Sequence, residues 1–111
     1  MRKELKAKNI QPILEELKEK LKQIYGNKLK KIILYGSYAR GDATDGSDID
    51  IMIVLDDITD PVTERERYFD AILELDLKYD TVISVIPFKE DDFKKRRLPI
   101  LLNAKREGIA I

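Results

Sequence analysis

Two aspartates, Asp48 and Asp50, open an otherwise apolar run, Ile49-Asp50-Ile51-Met52-Ile53-Val54-Leu55. Side chains at i and i+2 of a strand point to the same face, so a strand here projects both carboxylates together. Two carboxylates aimed at one spot repel unless a cation lies between them or one takes up a proton. The plain alternative is a turn aspartate followed by a solvent-facing strand aspartate. Strands disfavour aspartate, and this conflict between propensity and position favours a chemical role. Upstream, Leu34-Tyr35-Gly36-Ser37-Tyr38-Ala39-Arg40-Gly41 carries a short apolar strand into a Gly-Ser turn. Gly36 lets the backbone turn sharply and approach a ligand. Unpaired amides at the start of a short helix, with the Ser37 hydroxyl, suit a phosphate. An ordinary strand-to-helix turn with Ser37 as N-cap is the simpler reading of that segment alone; the downstream aspartates weigh against it. Arg40 stands one helical turn after Ser37, within reach of a phosphate or a base, or else in a surface pair with Asp42 or Asp45. Magnesium is held by one or two carboxylates plus the oxygens of a substrate phosphate. The two motifs together read as metal-dependent handling of a nucleoside triphosphate.

The chain supplies few other chemical groups. Its 111 residues contain neither Cys nor His, which removes disulfides, thiolate sites and imidazole bases. Any metal is therefore held by oxygen, as magnesium or manganese prefers. The 21 basic and 21 acidic residues balance, so no global field draws the chain to nucleic acid or an anionic membrane. Lys94-Lys95-Arg96-Arg97, the one dense basic cluster, reads as a solvated helix end. The apolar run 51–55 is far short of a membrane span, and the charged N-terminus lacks the apolar stretch of a secretory signal. A cytoplasmic protein with one domain over residues 1–111 is the expectation.

The elements that must position the motifs follow from periodicity. Pro12 suits the first turn of a helix, and Ile13, Leu14, Leu17, Leu21, Ile24 and Tyr25 recur at helical spacing before Gly26 stops it. Lys31 to Tyr35 and residues 48–55 read as strands, the second with Ile49, Ile51 and Ile53 on one face and Asp48, Asp50 and Met52 on the other. Asp60-Pro61 is a helix start, and Val62, Phe69, Ile72, Leu73 and Leu77 carry an amphipathic helix to about Lys78. Thr81 to Ile86 is a β-branched strand expected to stop at Pro87. Two short helices, Glu90 to Arg97 and Pro99 to Glu107, precede a short Ile109-Ala110-Ile111 strand or tail.

Gly36-Ser37-Tyr38-Ala39-Arg40-Gly41 with Ser47-Asp48-Ile49-Asp50 resembles the signature of the polymerase-β-like nucleotidyltransferases, G-S-x-x-x-G followed by D-x-D. The A-R-G variant and the short chain resemble the minimal nucleotidyltransferases (the MNT group), through to the Arg106-Glu107-Gly108-Ile109 ending. The resemblance implies an α/β (α+β) polymerase-β-like core, a small mixed sheet with helices mainly on one face. It implies transfer of a nucleoside monophosphate from a triphosphate, expected to be ATP, to an acceptor hydroxyl. Asp48 and Asp50 are then the catalytic metal ligands, with Gly36, Ser37 and Arg40 on the nucleotide. It also implies a partnership with a small helical HEPN-type toxin, which such antitoxins adenylylate or simply bind; self-association is compatible with it. A modifier of small molecules such as aminoglycosides fits the chemistry but usually involves a longer chain.

At one position the sequence departs from that family. Catalytic members carry a third aspartate on the next core strand, and matching Val82-Ile83-Ser84-Val85 to it places Ser84 there. Asp80 lies on the same face but about 13 Å earlier along an extended chain, and reads as a turn residue. A serine in that place implies binding without efficient transfer.

Overall fold

A computed structural model describes residues 9–111 of the chain; the charged N-terminal segment read above lies, over residues 1–8, outside them. Helix α1 (Gln11–Tyr25) starts with proline in its first turn and ends at Gly26. A 3₁₀ turn (Gly26–Lys28) leads into β1 (Leu29–Tyr35), and the one-turn helix α2 (Ser37–Arg40) follows. After a loop come β2 (Ile49–Leu55), α3 (Pro61–Tyr79) and β3 (Ile83–Lys89). Helices α4 (Glu90–Lys95) and α5 (Pro99–Glu107) precede the two-residue β4 (Ile109–Ala110). The four strands form one sheet in the order β3-β2-β1-β4. β1 is antiparallel to β2 and to β4, whereas β2 and β3 run parallel, with α3 as their crossover.

The period-two pattern of β2 divides the core. Ile49, Ile51 and Ile53 pack with Leu17, Leu21 and Leu75 beneath α1 and α3. Met52 and Val54 face the other way, onto Phe93 of α4 and Leu101 and Ala104 of α5. The sheet is therefore mixed, with its two long helices on one face and two short ones covering part of the other. Burying a leucine such as Leu17 or Leu75 contributes about 1.5–3 kcal/mol, and both are wholly inaccessible. Among the described residues no helix is long and apolar enough to cross a membrane.

Some element ends shift: β1 begins at Leu29, two residues before Lys31, α4 ends at Lys95 rather than Arg97, and β2 begins at Ile49, so Asp48 lies just before the strand expected to carry it. Two elements differ more deeply. β3 does not stop before Pro87 but continues through it to Lys89. The Ile49 amide donates to the Val82 carbonyl, so by alternation residues 83, 85 and 87 turn their backbone groups away from β2. Pro87 thus lacks an N–H only where the sheet needs none. The same outer edge is covered by α3: the Ile83 amide donates to the Asp76 carboxylate at 3.0 Å, and the Tyr68 hydroxyl donates to the Val85 carbonyl at 3.3 Å.

Helix α3 is the second difference. The residues that give it its periodicity are mostly not the ones it buries. Inward it sets Glu64, Tyr68 and Leu75, with Glu64 beside the Arg67 Nε at 3.5 Å. Val62, Phe69, Leu73 and Leu77 lie outward, 66%, 55%, 44% and 75% exposed. Only Ile72 of the expected row packs against the core.

Candidate functional site

The site is built where β1 ends and β2 begins. Gly36 closes β1 with φ 77° and ψ −155°, a region only glycine adopts readily. Its need for glycine is doubled by packing: a Cβ at this position would overlap the Asp50 carboxylate. Asp50 therefore rests directly on the Gly-Ser turn. Gly36, not Ser37, takes the N-cap position of α2, and its carbonyl accepts from the amides of Ala39 at 3.1 Å and Arg40 at 3.0 Å. Ser37 occupies the first helical position, and the amides of Ser37 and Tyr38 have no carbonyl one turn behind them.

Across the sheet, Asp50 is the register partner of Tyr35 on β1 and of Ser84 on β3. Paired residues of neighbouring strands share a face, so Tyr35, Asp50 and Ser84 form one row on the α4/α5 side. Asp48 precedes the strand and is exposed, whereas Asp50 is half-buried. Burial, and then the Asp48 charge, push the Asp50 carboxyl above the ordinary carboxylate range, while Arg40 opposes them. A carboxylate pair in that condition, only partly offset by Arg40, fits an oxygen-seeking divalent cation. Among the described residues no group of three or more acids stands close enough to enclose an ion. Any ion held here would complete its shell with water or phosphate oxygens.

Arg40 extends from α2 toward α5. Its Nη1 donates to Glu107 at 3.0 Å and its Nε to Asp42 at 3.3 Å. Of the two surface acids weighed as partners in the sequence, Asp42 is engaged; the stronger contact, to Glu107, closes 67 residues of chain and has no local signal. Asp80 ends α3 in a left-handed conformation, φ 52°, outside β3. It nevertheless shares with Asp45, Asp48, Thr81 and Val82 a polar hollow of about 180 Å³ at the end of the sheet.

Asp76 was legible only as a helix residue, yet it organises this end of the molecule. Its side chain accepts from the Ile83 amide and its carbonyl from Thr81. Burial raises its carboxyl, the Ile83 amide lowers it and the nearby Asp48 charge raises it again, leaving it above its usual value. Asp76→Ala strips the Ile83 amide of its acceptor and is expected to cost about 1–3 kcal/mol. Chemical denaturation checks this, with backbone exchange at Ile83 rising alongside; an unchanged midpoint would show that β3 is held in place without Asp76.

A glycine turn at the end of one strand and two carboxylates at the start of its antiparallel neighbour, on a mixed sheet, are what the resemblance to the nucleotidyltransferases implies. Residues 14–106 match the family model described as the nucleotidyltransferase domain, and the chain belongs to that family. Over 88 residues, 79% of this chain and 82% of the relative, it is 44% identical to a Methanocaldococcus jannaschii protein provisionally named a protein adenylyltransferase. Its fold is similar to that of a chain in a toxin-antitoxin crystal structure with AMP-PNP, at a TM-score of 0.64 and 20% identity, covering 86% of this chain and 69% of that one. It is also similar to a chain in a complex of a tri-AMPylated Shewanella oneidensis HEPN toxin with its MNT antitoxin. There the TM-score is 0.50 at 19% identity, covering 89% of this chain and 65% of that one. The fold is that of the polymerase-β-like minimal nucleotidyltransferases.

Proposed function

We propose that the chain transfers AMP from ATP to a hydroxyl group of a protein, with magnesium or manganese as cofactor. The observation that carries this reading is the Asp48–Asp50 pair, the second member resting on the Gly36 turn. The relative's name as a protein adenylyltransferase and the AMP-bearing toxin in the similar complex support a protein as acceptor. A HEPN-type helical partner is the class of acceptor they favour.

In this reading Asp48 and Asp50 hold the cation, which when bound neutralises the triphosphate and polarises its α-phosphorus. The amides of Ser37 and Tyr38 and the Ser37 hydroxyl bind the outer phosphates, and Arg40, fixed by Glu107 and Asp42, borders them. The acceptor oxygen forms a bond to the α-phosphorus as the bond to the β-phosphate oxygen breaks. Pyrophosphate leaves, and the hydroxyl proton passes to solvent. This chain's contribution is positioning and a fixed electrostatic frame.

A second reading, nucleotide and partner binding with little transfer, is favoured by Ser84, which stands beside Asp50 on the same face and which the sequence resemblance matches to the family's third aspartate. Calorimetry on the native chain and on Asp48→Asn and Asp50→Asn tests the shared part of both. Either substitution is expected to weaken magnesium-dependent ATP binding at least tenfold, about 1.4 kcal/mol. Unchanged affinity in both variants would remove the cation site. Transfer of label from α-labelled ATP to a HEPN-type protein then separates enzyme from binder.

A further inference from the structure

We infer that the outward face of α3 is the docking surface for the protein acceptor, and that it takes an amphipathic helix whose apolar row is bordered by lysine and arginine. This rests on the proposed transfer to a protein. Among the described residues, five of the six large apolar side chains left exposed lie on α3 or just after it: Val62, Phe69, Leu73, Leu77 and Val82. The four on the helix fall on one side: Phe69, Leu73 and Leu77, at four-residue spacing, form a continuous row, and Val62 stands two turns before it. A stripe of this kind normally faces a core. Here the core side of the helix carries Glu64, Tyr68 and Leu75 instead, so the hydrophobic periodicity is kept on the solvent side. Contiguous exposed apolar surface of this kind marks an interaction site.

Charge identifies the occupant. Glu66, Asp70 and Glu74 recur every four residues and border the stripe on one side. Like charges at that spacing repel one another and weaken a helix. Only Glu74 is relieved, by Lys20 at 2.9 Å; Glu66 and Asp70 have no ion pair among the described residues. A second copy of the chain fits poorly, because a two-fold pairing sets this acidic row against itself. A basic-flanked helix neutralises it.

The stripe also leads to the chemistry. Leu77 stands one turn or less from the C-terminal end of α3, and Val82 lines the hollow that Asp48 borders. A helix lying along α3 therefore ends near Asp48, at the rim of that hollow, and a hydroxyl carried just beyond it is directed toward the transferred phosphate.

The test uses the full chain and two fluorescent eighteen-residue helical peptides with the same leucine row and a terminal tyrosine, one flanked by lysine and arginine, the other by glutamate. Anisotropy titration is expected to favour the basic peptide by at least about tenfold, with Leu73→Glu removing that preference and the double variant Glu66→Lys, Asp70→Lys reversing it. ATP calorimetry on the same variants should match the native chain, showing that they are folded and separating loss of docking from loss of the nucleotide site. Absence of binding by either peptide, equal binding of both, or indifference to Leu73→Glu overturns the assignment. Sedimentation showing a native dimer that Leu73→Glu dissociates overturns it too, in favour of a second copy. Normal docking with no ATP binding would instead overturn the proposed transfer and leave the surface standing.

Discussion

Replacing Ser84 with aspartate is expected to speed AMP transfer by about 10²–10⁴-fold, the usual contribution of a positioned proton acceptor. Ser84 is the register partner of Asp50 on the same face, so a carboxylate there joins the pair and stands ready for the proton of the attacking hydroxyl. A second readout does not depend on activity. Burial and Asp48 already hold the Asp50 carboxyl above its ordinary range, and a third acid alongside raises it further. A carboxyl whose pKa is higher folded than unfolded binds its proton more tightly in the native state. Its contribution is thus best at low pH and is lost as pH rises through the raised value. In chelator, the Ser84→Asp melting temperature should fall more steeply than that of the native chain between acid and neutral pH, and magnesium should restore it. Unchanged transfer together with a melt indifferent to magnesium would show that residue 84 lies away from the reacting atoms.

Gly36→Val is expected to abolish measurable ATP binding in a chain that still folds. The backbone conformation at Gly36 costs a residue with a side chain about 1–3 kcal/mol. The larger effect is local: any Cβ there overlaps the Asp50 carboxylate oxygen and presses on its Cγ at 3.1 Å, displacing it from the turn. Gly26→Ala provides the comparison. Gly26 also has positive φ, 55°, but a Cβ added there meets nothing within 4 Å. That variant should lose stability and keep its ATP affinity. If Gly36→Val binds ATP like the native chain, the phosphates are cradled elsewhere.

Much of this was legible in the sequence because the signals are local. The alternation in β2 sorted Ile49, Ile51 and Ile53 from Asp50 and Met52, and the two faces of the core follow that sorting. Gly36 was readable as a turn, but not as the seat of Asp50, since that contact joins two strands. The Arg40–Glu107 pair and the hold of Asp76 on Ile83 were hidden for the same reason: no periodicity marks a contact between distant elements. Pro87 misled because proline is a breaker only where its N–H is wanted, and sequence does not tell an edge strand from a central one. In α3 the pattern was real, but periodicity gives a face without saying what lies against it.

The guarded outer edge of β3 has a consequence for the protein at high concentration. Sheets with an open rim can recruit identical strands and grow without limit, a route to fibres. Here one amide is already committed to Asp76, one carbonyl to Tyr68, and Pro87 offers no hydrogen to a neighbour. That side of the sheet gives an incoming strand a broken ladder. Copies crowded together, as in an archive of stored or overproduced protein, are deterred from joining edge to edge through β3, so contacts on this flank fall to side chains, which dilution can undo.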